Sequence, residues 1–541
     1  MLGEGAHPGL RRPGSPPTMS GAMGTPVRLV DLLGGLSRLA DLGFGIPAGE
    51  AERASALAAW LSRSLCLPAE DTRAAIFTAL LHHVGCSGYA HEAAKAVPDE
   101  RAMYAVTAQT DLADPKDLFR TFLPSLTRGH PPLERLRLAL VILTQGQRIG
   151  AESTTAACEV GRDAARRLGL PPVVQASIYR SYEWWNGKGV PDGLAGEDIP
   201  LGARVAAVAS TASLLDATAD RRRVVEVMDS GAGVLFDPDV AEALVTDVDR
   251  LLDELTDSDP HEVVLASEPA PVMTVLDPHL IDVATVFADL ADLKSPYTHG
   301  HSREVARLAR RAGGRLGLGG EDLGTLETAG LLHDVGRVAI SSRIWDKPRR
   351  LTTHEWEQVR LHAYHSERIL AGSARLAPLA ELVGSHHERC DGSGYHRGSP
   401  HADLPPAACV LAAADVYQAL TQERPHRPAL TAEQAEEQLH GSVRTGLLDA
   451  DAAGAVLAAA GHDGEVRREL PAGLTEREAE VVALVAKGHS NRQIAEDLSI
   501  SRRTAEHHVQ HIYTKIGSSS RAAAALFAME HDLLRSRSVT R

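Results

Sequence analysis

ETAGLLHDVGR (Glu327–Arg337) and HHERCDGSGYH (His386–His396) are the two stretches on which the reading of this chain turns. In the first, an apolar run ends on a histidine followed directly by an aspartate. A helix ending this way sends two ligands into one pocket, and the carboxylate has oxygens enough to bridge two cations. In the second, two adjacent histidines precede a glycine-containing loop. The His and Asp of this region run in order His301, His333-Asp334, His362, His386-His387, Asp391, Asp415. Imidazole and carboxylate together suit first-row divalent metals such as Mn, Fe and Zn. His354, His401 and His426 read as ordinary solvated or core-satisfied residues.

An upstream copy of the same design is visible. LLHDVG (Leu331–Gly336) aligns with LLHHVG (Leu80–Gly85) at an offset of 251, which also pairs His301 with Glu50. HHERCDGSGYH aligns with SYEWWNGKGVP (Ser181–Pro191) at an offset of 205, so the first copy holds 46 extra residues between its motifs. Carried back, the His and Asp positions become Glu50, His82-His83, Ala157, Ser181-Tyr182 and Ser210. At most three metal-capable groups remain, too few for a pair of ions, and no catalysis is expected there. Two roles stay open for this copy. It is a sensory or dimerising module, with a nucleotide over Trp184 and Trp185, or a packing partner with those tryptophans in its core.

Around these copies, 541 residues with 44% apolar and 23% charged side chains describe a soluble globular chain of about three domains. The best apolar run, Leu138–Leu143, is too short to span a bilayer and reads as a buried helix fragment. No membrane association is expected. Five cysteines, odd in number and never in a CxxC pair, argue against a disulfide framework and a cysteine-rich zinc site, and a cytoplasmic setting fits them. Residues 1–26 are rich in Gly and Pro and read as a disordered leader, with Met19 and Met23 as further candidate starts. Helical periodicity then predicts a first block over 27–257. SDPHEVVLASEPAPVM (Ser258–Met273) loses that periodicity and predicts a linker over 258–275. A second block covers 276–461, a linker 462–473, and a compact module 474–541.

The last module is distinct in charge. From Leu474 onward the net formal charge is +2, whereas the preceding residues carry −17, so only this end can approach DNA without strong repulsion. Thr475 with Glu478 forms a capping-box pattern, Gly488 closes the first helix, and Ser490 with Gln493 opens the second. Ser501 caps a third helix with Ala505, Val509, Ile512 and Ile516 inward and a cationic polar face outward. That is a helix-turn-helix pattern.

The second block resembles the HD-GYP family, metal-dependent phosphodiesterases that open the cyclic dinucleotide c-di-GMP. The resemblance runs through HDVG, Lys347-Pro348, His362, HHERCDGSGY, Asp415 and RPHR (Arg424–Arg427). It implies two tandem all-α HD-type bundles, the first degenerate. It also implies a metal site of His301, His333, Asp334, His362, His386, His387 and Asp415 holding two divalent ions, Fe, Mn or similar. His333, Asp334 and Arg337 would act in catalysis, with Arg337 where the family usually has lysine. Tyr395, Arg424 and Arg427 match residues that hold guanine and phosphates. Two ions would lower the pKa of water and neutralise phosphate charge, giving linear pGpG. Tyr297 stands where trinuclear members have glutamate, which favours two metals over three. His396 replaces the proline of GYP, which predicts a less rigid loop and leaves another nucleotide substrate open. The module from Leu474 resembles the LuxR/GerE-type DNA-binding domain. That implies Arg502, Arg503, Thr504 and Lys515 on phosphates and Glu506, His507 and Gln510 near base edges. The whole reads as a cyclic dinucleotide phosphodiesterase joined to a transcription regulator, expected as a homodimer on DNA. A rival reading is a c-di-GMP-sensing transcription factor with little turnover.

Overall fold

The computed structural model describes residues 26–97, 99–110, 117, 122, 124–125, 131–461, 470–531 and 533–534. Nearly all of the expected leader, residues 462–469 of the expected second linker and most of the C-terminal tail lie outside the described residues. Among those described the chain is all-α, apart from one antiparallel pair of two-residue strands, Val27–Arg28 and Thr274–Val275. Each strand leads into the first helix of a block, Leu29–Phe44 or Asp277–Asp292.

The repeat read from the sequence is a repeat of structure. The offset of 251 matches helix Glu50–Ser64 to His301–Arg315 and helix Ala69–Leu80 to Gly320–Leu332. The offset of 205 matches the bridge Asn186↔Ala195 to Asp391↔Pro400, and the turn Gly196–Asp198 to His401–Asp403. The buried polar scaffolding repeats too. Asp41 accepts from the N–H groups of Gly49 (2.8 Å) and Ala51 (3.4 Å), as Asp292 accepts from the N–H (3.0 Å) and hydroxyl (2.8 Å) of Ser302. Glu183 accepts from the N–H groups of Asp192, Gly193 and Leu194, and Glu388 from those of Arg397 and Ser399. Buried carboxylates that accept from successive loop N–H groups in this way specify one loop conformation.

Each block packs its first helix on the other block. Helix Leu29–Phe44 lies against the turn Val335–Ala339 and helix Thr353–Leu370. Gly35 permits this approach, since a Cβ there would lie 2.7 Å from the Cβ of Ser373. Reciprocally, helix Asp277–Asp292 meets the first block through the hydroxyl of Ser87 donating to the carbonyl of Leu290 (2.9 Å) and through Arg167 on Asp289 (2.6 Å). A buried ion pair completes the junction. Glu100 accepts from Lys294 Nζ (2.8 Å), the Ser341 hydroxyl (2.6 Å) and the Ser342 N–H (2.8 Å). Burial alone would raise the Glu100 carboxyl, but Lys294 and these donors hold it below its usual range.

Two expectations fail here. The stretch read as a linker carries helix Pro260–Ser267, capped by Asp259 and packed on helix Glu50–Ser64. Its proline sits in the first helical turn, where a missing N–H costs nothing, so a Pro-rich text concealed a helix. The run Leu138–Leu143 lies in the long helix Pro132–Arg167 but is not a buried fragment, because Leu138 is buried while Leu136 and Leu140 are 68% and 61% exposed. The N-terminal half of that helix presents one side to solvent.

Among the described residues the C-terminal module has four helices, Glu476–Ala486, Asn491–Asp497, Arg502–Ile516 and Arg521–Glu530. Capping boxes form at Thr475 and Ser490, Ser501 caps the third helix, and Ala505, Val509 and Ile512 are buried. The module docks on both blocks. The N–H (2.7 Å) and hydroxyl (2.5 Å) of Ser519 donate to Glu159, Arg166 pairs with Glu530 (3.1 Å), and Gly488 packs on Pro296. No helix among the described residues is long and apolar enough to cross a membrane.

Candidate functional site

Five helices of the second block deliver one cluster of seven side chains. His301 opens its helix after Gly300, whose left-handed backbone (φ +74°) turns the chain in. His333 and Asp334 follow helix Gly320–Leu332, His362 sits within Thr353–Leu370, His386 and His387 follow Ala377–Gly384, and Asp415 lies in Pro406–Thr421. The two oxygens of Asp334 face different histidines. Its Oδ2 is 3.5 Å from His333 Nε2 and 3.7 Å from His301 Nε2, while its Oδ1 is 3.3 Å from His362 Nε2 and 3.7 Å from His386 Nε2. Asp415 closes the ring, with Oδ1 3.1 Å from His301 Nε2 and Oδ2 3.6 Å from His387 Nδ1.

The outer hydrogen bonds set which nitrogen faces inward. His333, His362 and His386 each turn Nδ1 to a backbone carbonyl, of Gly330 (2.8 Å), Val359 (2.5 Å) and Val383 (2.6 Å). His301 Nδ1 meets Gln422 Oε1 at 2.9 Å. An imidazole donating from Nδ1 presents a bare Nε2 lone pair, the usual arrangement of a metal-ligating histidine. Burial and neighbouring histidines press His386 down to about 3, so it is neutral. Its Nε2 nevertheless lies 3.2 Å from His362 Nε2. Two lone pairs so placed repel unless a cation stands between them. His333 Nε2 and His387 Nδ1 are buried with no hydrogen-bond partner. The residues present therefore fit divalent metal. Burial would raise the Asp334 carboxyl, but Arg337 and His333 beside it hold it well below the usual carboxylate range.

The expected substrate residues are placed unequally. Arg337 donates to Asp334 Oδ2 (2.7 Å) and lies 4.0 Å over the Trp345 ring. Tyr395 lies against His387, ring centroids 4.7 Å apart, and lines a cleft of about 320 Å³ with Trp356, Arg360, His387, Arg389 and Leu447. Trp356, Arg360 and Arg389 escaped the sequence reading. The available signal was a tryptophan and an arginine one turn apart on the helix of His362. Arg424 donates to the carbonyl of Tyr297 (3.3 Å), and burial pushes its guanidinium down to about 10. Arg427 is not brought to the cluster. Its guanidinium donates to the carbonyls of Ala419, Leu420, Gln422 and Pro428, closing the end of helix Pro406–Thr421. Asp391 is exposed and accepts from the N–H and hydroxyl of Ser393. At the loop expected to be less rigid, His396 lies 3.3 Å and Arg397 2.5 Å from Glu367.

The family model described as HD domain matches residues 162–240 and 285–451, and that of bacterial regulatory proteins, luxR family, matches residues 472–528. The chain is 29% identical over 422 residues to the 3′3′-cGAMP-specific phosphodiesterase 3 of Vibrio cholerae, covering 77% of this chain and 92% of that one. Its structure resembles the crystal structure of a cyclic GMP-AMP specific phosphodiesterase of V. cholerae, with a TM-score of 0.56 and 26% identity over 81% of this chain and 99% of that chain. A cyclic di-GMP phosphodiesterase of Thermotoga maritima is 32% identical over 168 residues, 31% of this chain and 46% of that one. The chain carries an HD domain. It also carries a LuxR-type domain.

In the degenerate first copy, rings fill the corresponding space. His83 stacks on Phe44 (centroids 4.0 Å), Phe44 on Tyr104 (5.4 Å), and the Tyr182 hydroxyl sits 3.2 Å from His83 Nδ1. Burial pushes His82 down to about 4. Burial also pushes Glu50 up to about 7, and Glu50 accepts from the Ser213 hydroxyl. Among the described residues no metal-capable group forms around these positions. Trp184 and Trp185 are half-buried, with Arg204 5.8 Å over Trp185, so they are not a closed core. In the LuxR-type domain, Arg502, Arg503, Thr504, Glu506, His507 and Gln510 are exposed, and Arg502 pairs with Glu506 (2.9 Å). Lys515 differs, since its ammonium is bound to Glu478 (2.7 Å) and the carbonyl of Gly473 (2.9 Å).

Proposed function

We propose that this chain is a metal-dependent phosphodiesterase opening a 3′,3′-cyclic dinucleotide to its linear form, joined to a DNA-binding output. The observation that carries the reading is the division of Asp334, one oxygen toward His301 and His333 and the other toward His362 and His386. That division suits two ions, with His301, His333 and Asp415 on one side and His362, His386 and His387 on the other. Divalent ions bound there supply Lewis acidity, lowering the pKa of water and neutralising phosphate charge. Arg337 fixes the Asp334 carboxylate and adds positive charge beside it. The Tyr395 and Trp356 rings give a base a stacking surface, and Arg360 and Arg389 on the cleft wall attract phosphate.

For the substrate, the sequence motifs favour c-di-GMP with pGpG as product. A second reading, 3′3′-cGAMP, is favoured by the match that runs through both blocks, because the relative carrying it is named for that nucleotide. Metal-loaded full-length protein assayed against both nucleotides and a linear phosphodiester separates the readings. Cleavage of either cyclic dinucleotide upholds the class, and cleavage of neither overturns it. On the output side, exposed Arg502 and Arg503 would release counterions from DNA, so affinity should fall steeply with salt. Full-length protein acting as a homodimer would bind paired half-sites. Ligand-dependent operator affinity, measured with the Asp334→Ala variant so that turnover does not remove the ligand, tests whether the two ends are coupled.

A further inference from the structure

A second cluster of metal-type ligands lies outside the seven-residue site. Cys390, His401 and Cys409 offer ligand atoms that all lie within 4.8 Å of one another. They come from three places. Cys390 belongs to the signature loop, three residues after His387. His401 opens the turn His401–Asp403, and Cys409 lies in helix Pro406–Thr421, which also bears Asp415. The backbone already holds them together. The His401 N–H donates to the Cys390 carbonyl (3.0 Å), the Cys390 N–H donates to the Leu447 carbonyl (3.1 Å), and Asp391 bridges Pro400. Asp449 supports the imidazole, with Oδ2 3.1 Å from His401 Nε2, while its Oδ1 caps the helix starting at Ala450. This is a carboxylate–histidine pairing of the kind that orients metal-bound imidazoles.

We infer that Cys390, Cys409 and His401 form a zinc-binding clamp, separate from the phosphodiesterase centre, that ties the signature loop to the helix of Asp415. Two thiolates and an imidazole are the donor set zinc prefers over Mg, Ca or Mn. Tetrahedral zinc with Zn–S bonds of about 2.3 Å holds two sulfurs roughly 3.8 Å apart, so the observed separations need only a small closure. Burial pushes the Cys409 thiol up to about 12, and burial also raises Cys390. Both are therefore protonated without metal. On binding, each sulfur gives its proton to solvent as its bond to zinc forms, and the fourth position is left to water on the exposed side of His401. The clamp would hold Tyr395 in place beside His387 without touching substrate. Sequence spacing conceals it, because 10 residues separate Cys390 from His401 and no CxxC pair occurs.

The test is cobalt titration of the reduced, metal-free full chain, followed by zinc. Sulfur-to-cobalt charge transfer gives a near-ultraviolet band that a site of histidine and aspartate cannot produce. The expected result is that band at one equivalent, bleached by zinc, retained in Asp334→Ala and lost in both Cys390→Ser and Cys409→Ser. His401→Ala should weaken it. Cys390 is only half-buried, so its serine variant tests the site even where Cys409→Ser perturbs folding. Three outcomes would overturn the clamp. They are no band in the wild-type chain, a band surviving both serine variants, and oxidation of Cys390 with Cys409 to a disulfide without metal uptake.

Discussion

At matched positions the second block carries His301, His333-Asp334, His362, His386-His387 and Asp415, and the first carries Glu50, His82-His83, Ala157, Ser181-Tyr182 and Ser210. The carboxylates that hold the loops are nonetheless the same in both, Asp41 with Asp292 and Glu183 with Glu388. Fold and chemistry therefore rest on different residues, and one can be lost without the other. In the first block the vacated ligand space is packed with Phe44, His83, Tyr104 and Tyr182. In the second, His333 Nε2 and His387 Nδ1 are buried with no hydrogen-bond partner. Each block also supplies the first helix of the other's packing surface, so the degenerate copy is a structural half of the active one.

The largest effect should separate the blocks outright. Asp334→Ala removes the carboxylate shared by both sets of histidines and should reduce cyclic dinucleotide hydrolysis to background, while His83→Ala should leave the rate unchanged. A large loss in the His83 variant would mean that the first block takes part in the chemistry. Next, the junction between the blocks should be expensive to break. Glu100→Ala leaves the Lys294 ammonium buried and unpaired, and should cost about 3–5 kcal/mol in denaturant unfolding. Replacing both residues with methionine should recover most of that. If the single variant unfolds like the wild type, the blocks are not held together as described.

A smaller contrast concerns the tryptophans. Trp356→Ala should raise KM for a cyclic dinucleotide by about 5- to 150-fold, the equivalent of stacking worth about 1–3 kcal/mol per base. Trp184→Ala in the first block should leave KM alone. Equal effects would show that the degenerate block binds the substrate as well. The smallest effect is a pH dependence confined to the first block. Hydrogen bonds donated to Asp31 and Glu52 raise His261 to about 10. A raised histidine contributes stability in full below its unfolded pKa of about 6.5 and loses it as pH climbs toward 10. Stability should therefore decline between roughly pH 7 and 10 in the wild-type chain and less in His261→Gln. The corresponding helix of the second block is held by Arg303 on Asp289, and a guanidinium stays charged throughout that range. An identical decline in both proteins would remove His261 as its source.

Much of this was legible in the sequence because its signals are local. The capping boxes at Thr475 and Ser490 are matters of spacing, as are His301, His333-Asp334 and His386-His387 at helix ends, and the two offsets predict the repeat down to single bridges. What stayed hidden depends on packing between distant segments. Nothing in Gly35 or Lys294 announces that each block's first helix crosses to the other. Helix Pro260–Ser267 was masked by the prolines around it. Arg427 matched a motif, yet its fork is taken up by backbone carbonyls at and just beyond a helix end. Cys390, His401 and Cys409 each looked ordinary, since only the fold brings their side chains together.

On this reading the second block should bind metal and its copy should not. Anomalous scattering from crystals of the manganese-loaded full chain tests this most directly, since it locates ions independently of turnover. Density is expected within ligand distance of both Asp334 and Asp415, contacting His301, His333, His362, His386 and His387, and none beside His82 and His83. Density beside His82 and His83, or none at Asp334, would contradict it.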